Sequence, residues 1–331
     1  MSHVEPQQSE QPHEIPSPSE GEVARTRAEL GLALARSTGA QRAVVMTMGA
    51  LHEGHASLLR RARDLVGPDG QVVVTIFVNP TQFGADEDLE RYPRMFDSDA
   101  VVCRENGADL IFAPTPEVIY PDGDPIITID PGPLATQYEG LARPTHFRGM
   151  LTVVAKLLAL TKPRFALFGE KDYQQLTLVR QMVRDLELDV EVVGSPSVRD
   201  DSGLALSSRN TYLSDAARVV ALRIPAAIES GQRAARDGRT AVVNAANQVL
   251  SPTDAAVAMD VEYVAVTDPL MGPAPERGEG RLIVTVTVDG IRLLDNAAIT
   301  LGAQPQLPTE IDERVDPLSD SGRASSSERA T

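Results

Sequence analysis

Two histidines three residues apart, His52 and His55, sit in the run TMGALHEGH at residues 47–55, between a β-rich stretch and a helical one. One helical turn puts both imidazoles on the same side, where they can donate hydrogen bonds to phosphate oxygens. Gly49 and Gly54 let a ligand come close to the backbone, and the following helix aims unpaired N–H groups and a positive dipole end at it. Met48, Ala50, Leu51 and Glu53 complete the loop. The helix end disfavours an imidazolium, whereas bound phosphates favour it. Full charges at contact distance are expected to win. A zinc site is the poorer reading, since no cysteine cluster and no third ligand accompanies the pair. A capped helix with two surface histidines is the plain alternative.

Three further clusters carry polar chemistry. In FVNPTQFG, residues 77–84, Asn79 and Gln82 are neutral amides that both donate and accept, suited to a ligand with hydroxyls and a carboxylate. In FGEKDYQQL, residues 168–176, Gly169 and Glu170 precede Lys171, which can meet a phosphate as a point charge. Asp172 can accept from ribose hydroxyls, and Gln175 lies one turn further on. In LALSSRN, residues 204–210, Leu206 precedes Ser207, Ser208 and Arg209, two hydroxyls and a guanidinium able to close over a triphosphate. Each cluster alone also reads as an ordinary turn, helix start or polar loop.

The elements that must position these groups alternate. Helical spacing is expected over 23–36, 55–66, 88–106, 150–160 and 173–186, and strands over 42–48, 71–78, 108–113, 165–168 and 190–193. The run QVVVTIFV at 71–78 is nearly all apolar, as in a strand buried on both faces. Such alternation predicts an α/β fold, a Rossmann-like parallel sheet with helices on both faces, whose ligands bind beyond the strands' carboxyl ends. The last third changes character. Helices are expected over 214–235 and 241–250, then strands over 260–266, 281–288 and 291–298, the last two joined at Asp289-Gly290, a hairpin signal. This predicts a smaller C-terminal α+β domain over 199–303, acting as a lid on a nucleotide-binding domain over 22–198.

Composition narrows the function classes. A formal net charge of -16 argues against a nucleic-acid partner. Half of it resides in the ends: residues 1–22 contribute -5 and residues 304–331 contribute -3, so the body can still hold a cationic pocket. Both ends, 1–21 and 304–331, are rich in Pro, Ser, Gln and Glu and are expected to be disordered. The apolar run around 151–160 is broken by Lys156 and too short for a bilayer. No basic-then-apolar leader opens the chain, and the single cysteine, Cys103, cannot form an internal disulfide. A cytoplasmic protein with no membrane partner is expected.

Taken together, an HxGH loop early in a parallel sheet and a Ser-Ser-Arg loop late in it resemble the nucleotidylyltransferase superfamily. The ordered set TMGALHEGH, FVNPTQF, RPTHFRG (143–149), GEKDYQQL and LSSRN is far more specific. With TVVAKLL (152–158) and RLLDNAAI (292–299), it resembles the pantothenate synthetase family, the pantoate–β-alanine ligases, from about residue 23 to 303. The resemblance implies ATP with Mg²⁺, pantoate and β-alanine as ligands, and usually a homodimer. It implies attack of pantoate's carboxylate on the α-phosphorus, then of β-alanine's amine on the pantoyl-adenylate.

Residue by residue, the resemblance places Met48 to His55 along ATP, with His52 and His55 on the phosphates and His55 as proton donor. It places Gln82 and Gln175 on pantoate with Asn79 beside them, and Gly169 and Asp172 on the ribose. Glu170 lies in the same ATP segment, Lys171 is on the phosphates, and Val198 meets the adenine by its backbone. Ser207, Ser208 and Arg209 close over the triphosphate, Leu206 preceding them. Arg143 and His146 are lesser candidates, and Asp97 or Asp99 could stand behind the metal.

Two positions depart from the family pattern: Met46 stands where Pro is usual and Leu206 where Met is usual. Met46 is expected to loosen the loop entrance, and Leu206 to be tolerated. Competing readings are a related transferase, which would need a further basic group at its acceptor pocket, and an ATP sensor without turnover. A tRNA synthetase is disfavoured by the acidic charge and the lack of an anticodon-binding domain.

Overall fold

The computed structural model describes residues 22–37, 39–84, 87, 89–251 and 257–302. Both ends expected to be disordered, 1–21 and 304–331, lie outside the described residues, as does Asp88.

The first two-thirds run β1 (Glu22–Ala24), α1 (Arg27–Arg36), β2 (Arg42–Thr47), α2 (Glu53–Val66), β3 (Gln71–Ile76), α3 (Phe96–Glu105), β4 (Leu110–Phe112), and the short α4 (Pro116–Ile119) and α5 (Glu139–Ala142). Then follow α6 (His146–Thr161), β5 (Phe165–Gly169), α7 (Tyr173–Asp185) and β6 (Glu191–Ser195). The six strands form one sheet in the order β1-β4-β3-β2-β5-β6, every pairing parallel.

The two-residue period of the strands explains the layers. Val44, Val73, Leu110, Phe112, Ala166 and Phe168 face a core built with α1, α6 and α7. Their neighbours Ala43, Val45, Val72, Val74, Ile111 and Leu167 face the opposite core, closed by α2 and α3. With both faces covered, the strands need no polar side, hence the near-continuous apolar runs.

The chain walks outward from β2 through β3 to β4, then returns to the other side of β2 for β5 and β6. The order therefore reverses between β2 and β5, and a crevice opens there at the strands' carboxyl ends. TMGALHEGH leaves β2 and GEKDYQQL leaves β5 at that place.

Three expectations need correction. Residues 23–36 are not one helix: Glu22–Ala24 pairs with β4 as an edge strand. The helix starts after Thr26, whose hydroxyl accepts from the Glu29 N–H at 3.2 Å while the Glu29 carboxylate accepts from the Thr26 N–H at 3.0 Å. Among the described residues of 88–106 only Phe96–Glu105 is helical, since Pro93 disfavours helix at the residue before it. The helix expected over 214–235 divides at Leu222 into α8 (Asp215–Ala221) and α9 (Arg223–Arg233). Pro225 has no N–H to donate back across that junction.

After α10 (Arg239–Leu250), strands β7 (Met259–Thr267), β8 (Gly278–Val288) and β9 (Ile291–Leu301) form a separate antiparallel sheet in that order. This smaller C-terminal α+β domain buries its own core, in which Ile224, Ile228, Val242 and Leu250 meet Leu282, Val284 and Leu293. Asp289 and Gly290 turn the β8–β9 hairpin with φ of 50° and 76°, the paired positive values of a type I′ turn.

Candidate active site

The loop after β2 is bent by two left-handed residues, Gly49 at φ 89° and Ala50 at φ 52°. A side chain on Gly49 would strain this conformation, and its Cβ would stand 3.0 Å from the Asp99 carboxylate. That carboxylate, on α3 and only 2% exposed, holds the bend. It accepts from the Ala50 N–H at 3.0 Å and from the Leu51 N–H at 2.7 Å. Burial raises the Asp99 pKa against these two bonds, which lower it. Asp99 thus braces the loop backbone.

His52 then caps α2. Its Nδ1 accepts from the Gly54 N–H at 3.1 Å, while His55 Nδ1 accepts from the His52 N–H at 3.2 Å. The two rings fill the reciprocal positions of a capping box, with centroids 4.2 Å apart. Since each Nδ1 is an acceptor, each neutral ring carries its proton on Nε2. Burial pushes His55 down to about 3, with His52 as the second cause. Burial likewise lowers His52 to about 4, helped by Lys171 and opposed by Asp172. The expectation that phosphates would protonate these rings meets an obstacle here. An imidazolium would have to give up its backbone bond at Nδ1, so in this geometry each ring offers a neutral Nε2–H as donor.

One cavity of about 240 Å³ gathers most of the sequence-derived set. Met48, His52, Gly54 and His55 line it from β2 and α2, Asn79 and Gln82 from the turn after β3, and Gly169, Lys171, Asp172 and Gln175 from β5 and α7. Val198 and Leu206 to Arg209 close another wall. The Val198 carbonyl accepts from the Leu206 N–H at 2.9 Å, which folds the 199–205 arm back on itself. The Ser207 hydroxyl accepts from the Arg209 N–H at 3.3 Å and starts the 3₁₀ turn Ser208–Tyr212. Among the described residues lining this cavity, Asp172 is the only carboxylate, against Lys171, Arg143 and Arg209.

The amides divide their labour. Asn79, 1% exposed, donates to Gln82 Oε1 and to the Gly149 carbonyl, both at 3.2 Å, and accepts from the Tyr120 hydroxyl at 2.8 Å. It therefore orients Gln82. Gln82 Nε2 contacts Met48 Sδ at 2.8 Å, linking this turn to the histidine loop. Gly149 has no room for a side chain, since a Cβ would stand 2.1 Å from the Thr81 carbonyl. His146 Nδ1 pairs with the Gln82 carbonyl at 3.0 Å, and burial lowers this ring to about 4. Arg143 is engaged by Glu87.

Some expected residues point elsewhere. Glu53 pairs with Arg60 on the exposed side of α2. Gly49, Ala50 and Leu51 contribute the bend braced by Asp99, and the Glu170 carboxylate binds Arg281 at 3.0 Å. None of these five lines the cavity. Met46 does, and it continues the β2–β3 register opposite Thr75. Sequence reasoning missed the brace on Asp99, and also Tyr92 and Thr75, which share the cavity wall. The Thr75 hydroxyl is buried with no partner among the described residues, and nothing in an apolar strand run announces it. Among the described residues, no group of three or more His, Cys, Asp or Glu is placed to hold a metal ion. No described helix is long and apolar enough to cross a membrane.

The family model for pantoate-beta-alanine ligase matches residues 22–298. The chain belongs to this family. It is 50% identical over 282 residues to the pantothenate synthetase of Nocardia farcinica, covering 85% of this chain and 86% of that one. It is 49% identical to that of Nocardioides sp. over the same shares. Among solved structures, pantothenate synthetase from Thermus thermophilus superimposes with a TM-score of 0.77 at 42% identity, covering 83% of this chain and 98% of that one. Pantoate-beta-alanine ligase from Francisella tularensis, complexed with β-γ ATP and β-alanine, superimposes at 0.69 with 32% identity, over 83% of this chain and 97% of that one. The ligase family membership and the parallel sheet with its smaller C-terminal domain thus rest on independent comparisons.

Proposed function

We propose that the chain is an AMP-forming pantoate–β-alanine ligase. The observation that carries this reading is one cavity joining neutral histidine donors, Lys171 and Arg209 to the uncharged amides of Gln82 and Gln175. In the first step, pantoate's carboxylate attacks the α-phosphorus of ATP, its P–O bond to the pyrophosphate breaks, and pantoyl-adenylate forms. In the second, β-alanine's amine attacks the acyl carbon, the C–O bond breaks, AMP leaves with the bridging oxygen, and the amine loses a proton.

The protein's part is positioning and charge stabilisation. The Nε2–H groups of His52 and His55 donate to phosphate oxygens where negative charge grows. Lys171 offsets the charge of the departing pyrophosphate, and Ser207, Ser208 and Arg209 close over it. Gln82, oriented by Asn79, and Gln175 hold pantoate's hydroxyls. Asp172 and Gly169 face the ribose, and the Val198 backbone faces the adenine. Magnesium would be held mainly by the triphosphate, whose charge it screens, with Asp172 the one carboxylate among the cavity's described residues to assist. Residues 199 onward serve as a lid on the 22–198 unit. The reading also carries a cytoplasmic homodimer, which light scattering tests.

A related transferase acting on a phosphate ester is the second reading, and the neutral amide pair in the acceptor region disfavours it. The deciding assay mixes protein, magnesium and ATP with pantoate, then adds β-alanine. Pantoate-dependent pyrophosphate release followed by β-alanine-dependent AMP release is expected. ATP binding without either release means a sensor.

A further inference from the structure

The segment RLLDNAAI at 292–299 belongs to β9, on the far sheet, and no step above uses it. Two of its polar side chains reach across to the parallel-sheet domain. Arg292 pairs with Glu139 on α5. Asn296, 5% exposed, donates through Nδ2 to the Lys171 carbonyl at 2.8 Å and to the Glu170 carbonyl at 3.0 Å. Its Oδ1 accepts from Arg281 Nε at 2.7 Å. Both amide hydrogens and the amide oxygen are thus used, and the network fixes which way the amide points. Arg281, on β8, also donates to the Glu170 carboxylate at 3.0 Å and lies over the Tyr173 ring, 3.8 Å from its centroid. Next along β9, Asp295 accepts two bonds from Arg199, which opens the arm leading to Ser207 and Arg209.

The side chains of Glu170 and Tyr173 are anchored from outside the loop, by Arg281 and by the Pro269 carbonyl. The 3₁₀ turn Glu170–Asp172 has no side-chain cap, and the Lys171–Asp172 pair is loose at 3.7 Å. We propose that Asn296 is a positioning residue for Lys171: it fixes the 170–171 backbone from the C-terminal sheet and so aims the ammonium at the nucleotide phosphates. Asn296 acts through Lys171 and touches no reacting atom. This rests on the reading of the cavity as an ATP site.

The test is a double-mutant cycle on magnesium-ATP affinity, measured by calorimetry on the full chain with Asn296→Ala, Lys171→Ala and the double variant. Reading affinity rather than turnover separates this inference from the ligase assignment. Asn296→Ala is expected to weaken ATP about tenfold in the native background and less than about twofold when Lys171 is already alanine. Equal losses in both backgrounds would reduce Asn296 to a general structural role and overturn the inference. A native chain with no ATP affinity would overturn the ATP-site reading and this inference with it. If Asn296→Ala does not fold, Asn296→Ser keeps one short donor and runs the same cycle, the same two outcomes deciding.

Discussion

The histidine loop and the lysine loop stand on opposite sides of the same crevice and are held in opposite ways. His52 and His55 are fixed almost locally, by each other's backbone and ring, with outside support to their loop from Asp99 and Gln82. The Glu170 and Lys171 carbonyls accept from the Asn296 side chain, more than a hundred residues later in the chain, on another sheet. The first loop is a rigid half of the site built into the parallel-sheet domain. The second leaves β5 of that same domain but is tied across to the C-terminal sheet through its carbonyls.

The sharpest way to break this comparison is to remove the local half. His55→Ala takes away a phosphate donor and the acceptor for the His52 N–H. It should lower kcat about a hundred- to a thousandfold while the fold persists by circular dichroism. Near-native turnover would leave His55 without its proposed role.

Next comes the brace. Asp99→Ala leaves the Ala50 and Leu51 N–H groups without their acceptor, and should cost about ten- to a hundredfold in kcat/KM for ATP. It should also lower the melting temperature by several degrees, with Asp99→Asn in between. An unchanged kcat/KM would mean the loop holds its bend unaided.

The charge states give a smaller, pH-dependent effect. His52 and His55 are held near 4 and 3 in the folded chain against 6.5 ordinarily, so the unfolded chain takes up their protons first as pH falls. Their stabilising contribution is complete above pH 6.5 and is lost progressively as pH falls toward 4 and then 3. Chemical denaturation across that range should follow this sign. kcat/KM for ATP should show no histidine ionisation between roughly pH 5.5 and 7.5. An acid limb near 6.5 that disappears in His55→Ala would contradict the neutral tautomer.

The smallest effect is expected at Glu53, inside the motif yet outside the cavity. Its pair with Arg60 is about half exposed, at 56% and 49%. Glu53→Gln should change KM for ATP by about twofold or less. A large rise would return Glu53 to the nucleotide.

The same contrast separates what was legible in the sequence from what was not. The parallel sheet was legible because burial on both faces writes itself as apolar runs such as residues 71–76, and the hairpin because Asp289-Gly290 supplies two positive-φ residues. That the histidines, Lys171, Gln82 and the Ser-Ser-Arg loop share one cavity was legible because each lies in a short motif at the end of a strand or beside the domain boundary. The edge strand Glu22–Ala24 was not, since three residues carry no period. Asp99 read as a carboxylate standing behind the metal, because its acceptor role depends on a bend 48 residues away. Glu170 read as part of the ATP segment, because Arg281 lies 111 residues on. Asn296 was visible only as a letter in RLLDNAAI. Local pairing leaves a pattern in the chain; pairing between sheets leaves none.

In the proposed function, this cavity activates a carboxylate at the α-phosphorus of ATP. Pantoate labelled with ¹⁸O in its carboxylate, turned over with magnesium-ATP and β-alanine, tests it through the mass of the released nucleotide. AMP carrying one ¹⁸O atom and unlabelled pyrophosphate are expected. Release of ADP, with the label in inorganic phosphate, would place the attack at the γ-phosphorus and contradict it.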